Sequence, residues 1–300
     1  MNKNIWQFDL KLLIPIFVVV VLSLTTLFSI NAELFKSQLI YLLISIFAFI
    51  IFSQSNLNVL KNYSLPIFIF SVVVLTALLV VGIESRGSTR WFELFGFRIQ
   101  FSEILKPFLA ISLSSFLINK NNRTLKNLIK GMLFLFPIAF LIFLQPDLGN
   151  ALIYSGVAVL TFIYFGFPLR FFLGGFLSAI ALIPVFWQFM HNYQRQRILT
   201  FLNPAKDPLG TSYNTIQAVI TVGSGMIFGK GLGQGTQSSL HFLPERHTDF
   251  IFATISEDFG FIGALVIVIA YGFFFHRLIQ LSLNTTDDFT KIFTAVAFFL

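Results

Sequence analysis

The chain alternates long apolar runs with short polar breaks, and the runs exceed what the interior of a soluble domain needs. A helix requires about 20 apolar residues to cross a bilayer. Seven complete runs suited to that task occupy 12–30, 38–54, 64–83, 103–119, 130–145, 149–166 and 171–189, an eighth covers 250–275, and a ninth starts near 290. The pattern predicts an all-α fold, a polytopic integral membrane helix bundle formed by 1–300 as a single domain. The first run has no small-residue cleavage site after it, so it reads as a transmembrane helix and not as a signal peptide. The last run, Phe293 to Leu300, is begun and not finished. It predicts that the natural protein continues beyond this sequence.

One long segment, 190–249, breaks the rhythm. Connections of that length are uncommon unless they carry function or structure of their own. Asn203-Pro204 and Asp207-Pro208-Leu209-Gly210 are turn signals. Tyr213 to Ile227 has a mild helical period, and a glycine-rich stretch follows from Gly223 to Gly235.

Composition sharpens the picture. Hydrophobic residues make up 56% of the chain and charged residues 11%, where a soluble domain carries roughly a quarter charged. The absence of cysteine excludes disulfides and thiolate metal sites. The net charge of +7 would suggest nucleic acid in a soluble protein, but here the cations sit in short loops and report topology. With Lys3 and Lys11 cytoplasmic, Lys61, the cluster Lys120, Arg123, Lys126 and Lys130, then Arg170 and Arg277 also fall inside. Arg86, Arg90 and Arg98 fall outside, against the rule, and anion binding is one explanation.

This topology gathers three polar clusters on the outer face. In Gly87 to Lys106, Arg90 and Arg98 can clamp phosphate, Ser102 can cap the next helix, and Glu103 can pair with Lys106 one helical turn on. Snorkelling arginines and a structural ion pair account for the same residues. In Gln145 to Asn150, Asp147 reads first as the cap of a helix start. The glycines of 223–235 either present backbone amides to a pyrophosphate or form a hinge.

The third cluster, Phe242 to Gly260, is the most charged. Asp249 stands at the edge of the eighth run, as a helix cap or as a general base. His247 is a polar surface residue or a second proton carrier. Glu245 lies beside them, and Glu257 and Asp258 lie about two turns into the run, where they need a cavity or a cation. No helical His pair at metal-ligand spacing accompanies His247, which argues against zinc.

These segments together resemble the SEDS family of shape, elongation, division and sporulation proteins, and its RodA branch in particular. The residues that carry the resemblance are Gly87-Ser-Thr-Arg-Trp91, Arg98-Ile-Gln-Phe-Ser-Glu-Ile-Leu-Lys106, Gln145-Pro-Asp-Leu-Gly149, Phe201-Leu-Asn-Pro204, Gly229 to Ser238, and Phe242-Leu-Pro-Glu-Arg-His-Thr-Asp-Phe250. Phe101 stands where the family usually has proline, and Glu257-Asp258 where it has a Glu-Glu pair.

The resemblance implies about ten transmembrane helices, the last ones missing here. It implies a glycosyltransferase that polymerises lipid II into peptidoglycan strands at the outer face of the cytoplasmic membrane. Asp249 would be the catalytic carboxylate. Arg90, Arg98, Gln100, Glu103 and Lys106 would bind the pyrophosphate substrate, directly or beside a divalent cation, Mg or Mn. Asp147, Glu245, His247 and Glu257 would support them. Expected partners are a class B penicillin-binding protein and the elongation proteins MreC and MreD. A lipid-linked oligosaccharide flippase and a non-catalytic scaffold are the competing readings.

Overall fold

The computed structural model describes residues 8–85, 88–94, 97–118, 123–190, 195, 198–199 and 213–300. The turn signals at 203–204 and 207–210 lie outside these residues. Helices dominate, and each predicted run appears as helix. They are α1 (Leu10–Ile30), α2 (Ala32–Ser53), α3 (Leu57–Asn62), α4 (Ser64–Val81), α5 (Phe101–Ile104), α6 (Lys106–Ile118), α7 (Leu125–Leu144), α8 (Leu148–Tyr164) and α9 (Leu169–Phe189). After the long segment come α10 (Tyr213–Ser224), α11 (Thr236–Ser239), α12 (Ile251–Asn284) and α13 (Asp288–Phe299). Helices α1, α2, α4, α7 and α12 are long and apolar enough to cross a membrane. With the shorter apolar helices α6, α8 and α9, they make this a multi-pass membrane protein.

The helix starts follow local chemistry. Asp9, Asn31, Thr124 and Asp287 each accept a hydrogen bond from a backbone amide of the helix that follows, which satisfies a donor that the first turn leaves unpaired.

Between two predicted spans, Ile83 to Ile99 carries a three-stranded antiparallel sheet: β1 (Ile83–Ser85), β2 (Ser88–Leu94) and β3 (Phe97–Ile99). Its register pairs Phe92 with Ile99 and Glu93 with Arg98. Thr89, Trp91 and Phe92 favour a pleated strand, but the same residues suit a membrane interface, so composition did not separate the two.

The chain divides into two compact units. One comprises Ser55–Ile180 and Leu278–Leu300. Its core is built from α4, α6, α7, α8 and α13, around Leu75, Leu109, Leu113, Ile142, Phe162 and Val296. The other comprises Met1–Gln54 and Ala181–Arg277. It contains α1 and α2, the segment 213–250, and most of α12.

Helix α12 is the unusual element. A straight helix of its length would extend roughly 50 Å, well beyond the ~30 Å hydrocarbon core. It breaks at Gly260, whose φ of 70° and ψ of −162° are not helical. The break strands carbonyls on one side and amides on the other, and no water in a bilayer core would satisfy them. The chain between α10 and α11 does so. Lys230 N donates to Glu257 O (2.9 Å) and Gly231 N to Asp258 O (3.0 Å), while Phe261 N donates to Met226 O (2.8 Å) and Ile262 N to Ile227 O (3.3 Å).

Candidate functional site

Each unit carries its own polar centre. In the unit built on α4–α8, the centre is Asp147, which caps α8 through Asn150 N (3.2 Å). Its other oxygen accepts from Gln100 Nε2 (2.9 Å) and Asn150 Nδ2 (3.0 Å), and Arg90 Nη1 lies 3.7 Å from the carboxylate. Asp147 therefore caps and also gathers β2, the start of α5 and α8 into one knot. Ser102 does not cap a helix as expected. It is buried, its hydroxyl accepts from Gln100 (3.1 Å) and Asn150 (3.4 Å), and its carbonyl accepts from Tyr154 Oη (2.6 Å).

Around this knot the predicted substrate residues are more open. Lys106 Nζ meets Glu103 Oε2 at 2.6 Å, the expected pair, and Glu103 is exposed. Arg98 is exposed, with no side-chain partner among the described residues. Gln145 is buried and donates to Leu75 O (3.0 Å), a structural bond.

In the other unit the turn Pro244 to Phe250 leads into α12. Of the two readings of Asp249, helix cap and general base, the structure does not show the cap. The Asp249 side chain is exposed, and among the described residues nothing donates to it. The turn is held without it. Thr248 N and Phe250 N both donate to Glu245 O (3.1 and 3.2 Å), Thr248 Oγ1 donates to Glu245 Oε2 (3.3 Å), and Thr254 Oγ1 donates to Arg246 O (2.9 Å). His247 is half-buried beside them.

Glu257 has the opposite surroundings. It is fully buried. One oxygen accepts from Ser224 Oγ (3.1 Å), Lys230 Nζ (3.3 Å) and Gln237 N (3.0 Å), the other from Ser238 N (2.9 Å) and the Ser238 hydroxyl. Such a carboxylate fastens α10, α11 and the glycine-rich chain to α12. The glycines serve the same contact. A Cβ on Gly225 would collide with the carbonyl of Ser256. The amides of Lys230 and Gly231 within 223–235 are spent on the carbonyls of Glu257 and Asp258. Lys230, Ser224 and Ser238 were missed from sequence, although the buried acid at Glu257 was itself a signal that donors had to exist.

A polar cavity of about 180 Å³ lies within this unit, lined by Ser29, Gly233, His241, Arg246, Thr254 and Asp258 among others. Arg246 Nη1 and Asp258 Oδ2 are buried there without a protein partner, and the cavity has the room and polarity to hold water. Burial pushes the Arg246 guanidinium pKa down. Among the described residues no three His, Asp or Glu side chains converge to hold a metal ion.

Residues 2–300 match the family model of the FtsW, RodA and SpoVE cell cycle proteins. The chain belongs to that family. It is 34% identical over 246 residues to the peptidoglycan glycosyltransferase MrdB of Escherichia coli K12, an alignment covering 81% of this chain and 66% of that protein. It is 32% identical over 268 residues to a probable peptidoglycan glycosyltransferase FtsW of Trichlorobacter lovleyi, covering 87% and 69%. The chain thus spans just under two thirds of the length of MrdB. Among solved structures, a chain of a peptidoglycan synthase complex studied for the coordination of polymerisation and crosslinking superposes with a TM-score of 0.83, at 26% identity, over 97% of this chain and 83% of its own. The Thermus thermophilus rod shape determining protein RodA superposes with a TM-score of 0.71 at 23% identity, over 98% and 81%. Membership in the FtsW, RodA and SpoVE family agrees with the all-α membrane fold described above.

Proposed function

We propose that this chain is a peptidoglycan glycosyltransferase that joins lipid II units into glycan strands, for cell elongation and rod shape. The substrate is a disaccharide-pentapeptide on undecaprenyl pyrophosphate, and it serves as both donor and acceptor. The observation that carries the reading is Asp249: an exposed carboxylate, free of partners among the described residues, on a turn fixed by its neighbours. A general base must come within hydrogen-bond reach of the proton it abstracts, and an exposed carboxylate on a held turn is open to a substrate hydroxyl.

In the reaction the acceptor's 4-hydroxyl oxygen attacks the donor's anomeric carbon, and Asp249 takes the hydroxyl proton. The anomeric carbon–oxygen bond to pyrophosphate breaks, and undecaprenyl pyrophosphate leaves with the electron pair. Configuration inverts. A good leaving group removes the need for the second carboxylate that glycoside hydrolases use. Of the three candidate cations for the pyrophosphate, Lys106 is engaged by Glu103 and Arg90 faces Asp147. Arg98 is the best placed to donate to the substrate. Gln100 orients Asp147, which faces Arg90, and Glu245 holds the Asp249 turn, with His247 proposed to assist it.

The proposed setting is the bacterial cytoplasmic membrane, with Asp249 on the outer side, as the cation distribution favours. The proposed partners are a class B penicillin-binding protein, which supplies crosslinking, and MreC and MreD. The likeness to a chain of a peptidoglycan synthase complex supports the first of these. The test is glycan-strand formation from purified lipid II by the full-length protein with its transpeptidase partner, comparing wild type with Asp249→Asn. Polymer from wild type and none from the variant at equal expression is expected. Equal polymer from both would overturn the assignment of Asp249.

A further inference from the structure

Outside the polar centres, the unit built on α4–α8 holds an apolar groove of about 570 Å³ between α7, α8 and the first part of α9. Ile129, Leu133 and Phe136 of α7 face Phe172, Gly175 and Phe176 of α9 across it. Helix α9 contributes no buried residue among those described, so it packs against the bundle through few side chains and leaves this opening. The groove floor is open at Gly175, where an added Cβ would meet nothing within 4 Å.

One end of the groove is basic. Lys126 and Lys130 are exposed on α7, spaced with Ile129 and Leu133 along one helical stripe. Arg170, exposed at the start of α9, sits over the Phe171 ring at 5.3 Å, and Phe171 itself lines the groove. Arg123 sits over Phe165 at 5.2 Å. The sequence contains no carboxylate from Ile104 to Pro146 or from Leu148 to Lys206, and none of these four cations has an acidic partner among the described residues. Apolar walls that end in unneutralised cations fit a molecule with an apolar chain and an anionic head. Basic pockets between transmembrane helices bind anionic lipid headgroups in this way.

We propose that this groove is a binding site for an anionic glycerophospholipid, with one acyl chain between α7 and α9 and the phosphate on Lys126, Lys130 and Arg170. The site is separate from Asp249 and does not depend on the glycosyltransferase reading. Its occupant ties α9 to the bundle where protein contacts are sparse.

The test is native mass spectrometry of the full-length protein in detergent, titrated with phosphatidylglycerol or phosphatidylcholine. Phosphatidylglycerol is expected to bind at least ten-fold more tightly. Lys126→Ala with Lys130→Ala should weaken it by about five-fold per lysine and leave phosphatidylcholine unchanged. Gly175→Phe, which fills the groove, should displace both lipids without lowering the melting temperature measured in lipid-free detergent. Glycerol phosphate alone should not compete, because the chain supplies much of the affinity. Equal binding of the two lipids, no effect of the double substitution, or full competition by glycerol phosphate would each overturn the proposal.

Discussion

The turn that carries Asp249 and the helix break that carries Glu257 lie a short way apart on one chain, and they treat a carboxylate in opposite ways. Glu257 is buried, with both oxygens occupied by hydroxyl, ammonium and backbone donors. Asp249 is exposed, and nothing among the described residues donates to it. A buried carboxylate with every lone pair engaged is a fastening, because removing it strands its donors in a site without water. An exposed carboxylate on a rigid turn costs little to keep and is available to a substrate. Under the proposed function, the difference separates a residue that holds the fold from one that acts, which motif resemblance alone does not do.

The largest effect that would break this comparison concerns stability. Glu257→Ala should cost about 3–5 kcal/mol, because several donors, among them the Ser238 amide and hydroxyl, lose a buried acceptor at about 1–3 kcal/mol each. Thermal unfolding in detergent reads this directly, and polymerisation should be lost with the fold. Asp249→Asn should show the converse, with melting unchanged within about 0.5 kcal/mol and the polymerisation rate down about 10²–10⁴-fold, the usual contribution of a general base. Asp147→Ala should fall between them. It removes a helix cap and leaves Gln100 and Asn150 without an acceptor, for about 1–3 kcal/mol of stability, with polymerisation reduced in step with folded protein.

The smallest effect lies at the base of α1. Arg277 holds Asp9 through contacts of 2.6 and 2.7 Å to one oxygen, and this hydrogen bonding holds the Asp9 carboxyl below the usual aspartate range. A depressed folded pKa contributes stability above the unfolded pKa and loses it as pH falls through the folded value. Wild type should therefore lose up to about 1 kcal/mol relative to Asp9→Asn as pH drops below about 4. A melting-temperature difference between the two that stays flat across that range would contradict the pairing.

Much of the fold was legible because a bilayer imposes a length rule on apolar runs, and α1, α2, α4 and α7 follow it closely, with α6, α8 and α9 shorter but still apolar. The sheet at β1–β3 was not, since strand formers and interfacial aromatics are the same residues. The candidate site was legible in its residue types and not in its bonding. Asp249 stood in a capping position by sequence, yet capping depends on backbone angles, and Glu245 and Arg246 carbonyls already bind the turn. The partners of Glu257 lie in a glycine-rich stretch whose path depends on a helix break at Gly260. A single glycine within an apolar run does not announce such a break.

The measurement that tests the central claim most directly is melting temperature and lipid II polymerisation on the same preparations of wild type, Asp249→Asn and Glu257→Gln. The account predicts that Asp249→Asn melts like wild type and makes strands about 10²–10⁴-fold more slowly, while Glu257→Gln melts lower and makes strands in proportion to the folded fraction. Strand formation by Asp249→Asn at the wild-type rate, or a wild-type melting temperature with no strands in Glu257→Gln, would contradict it.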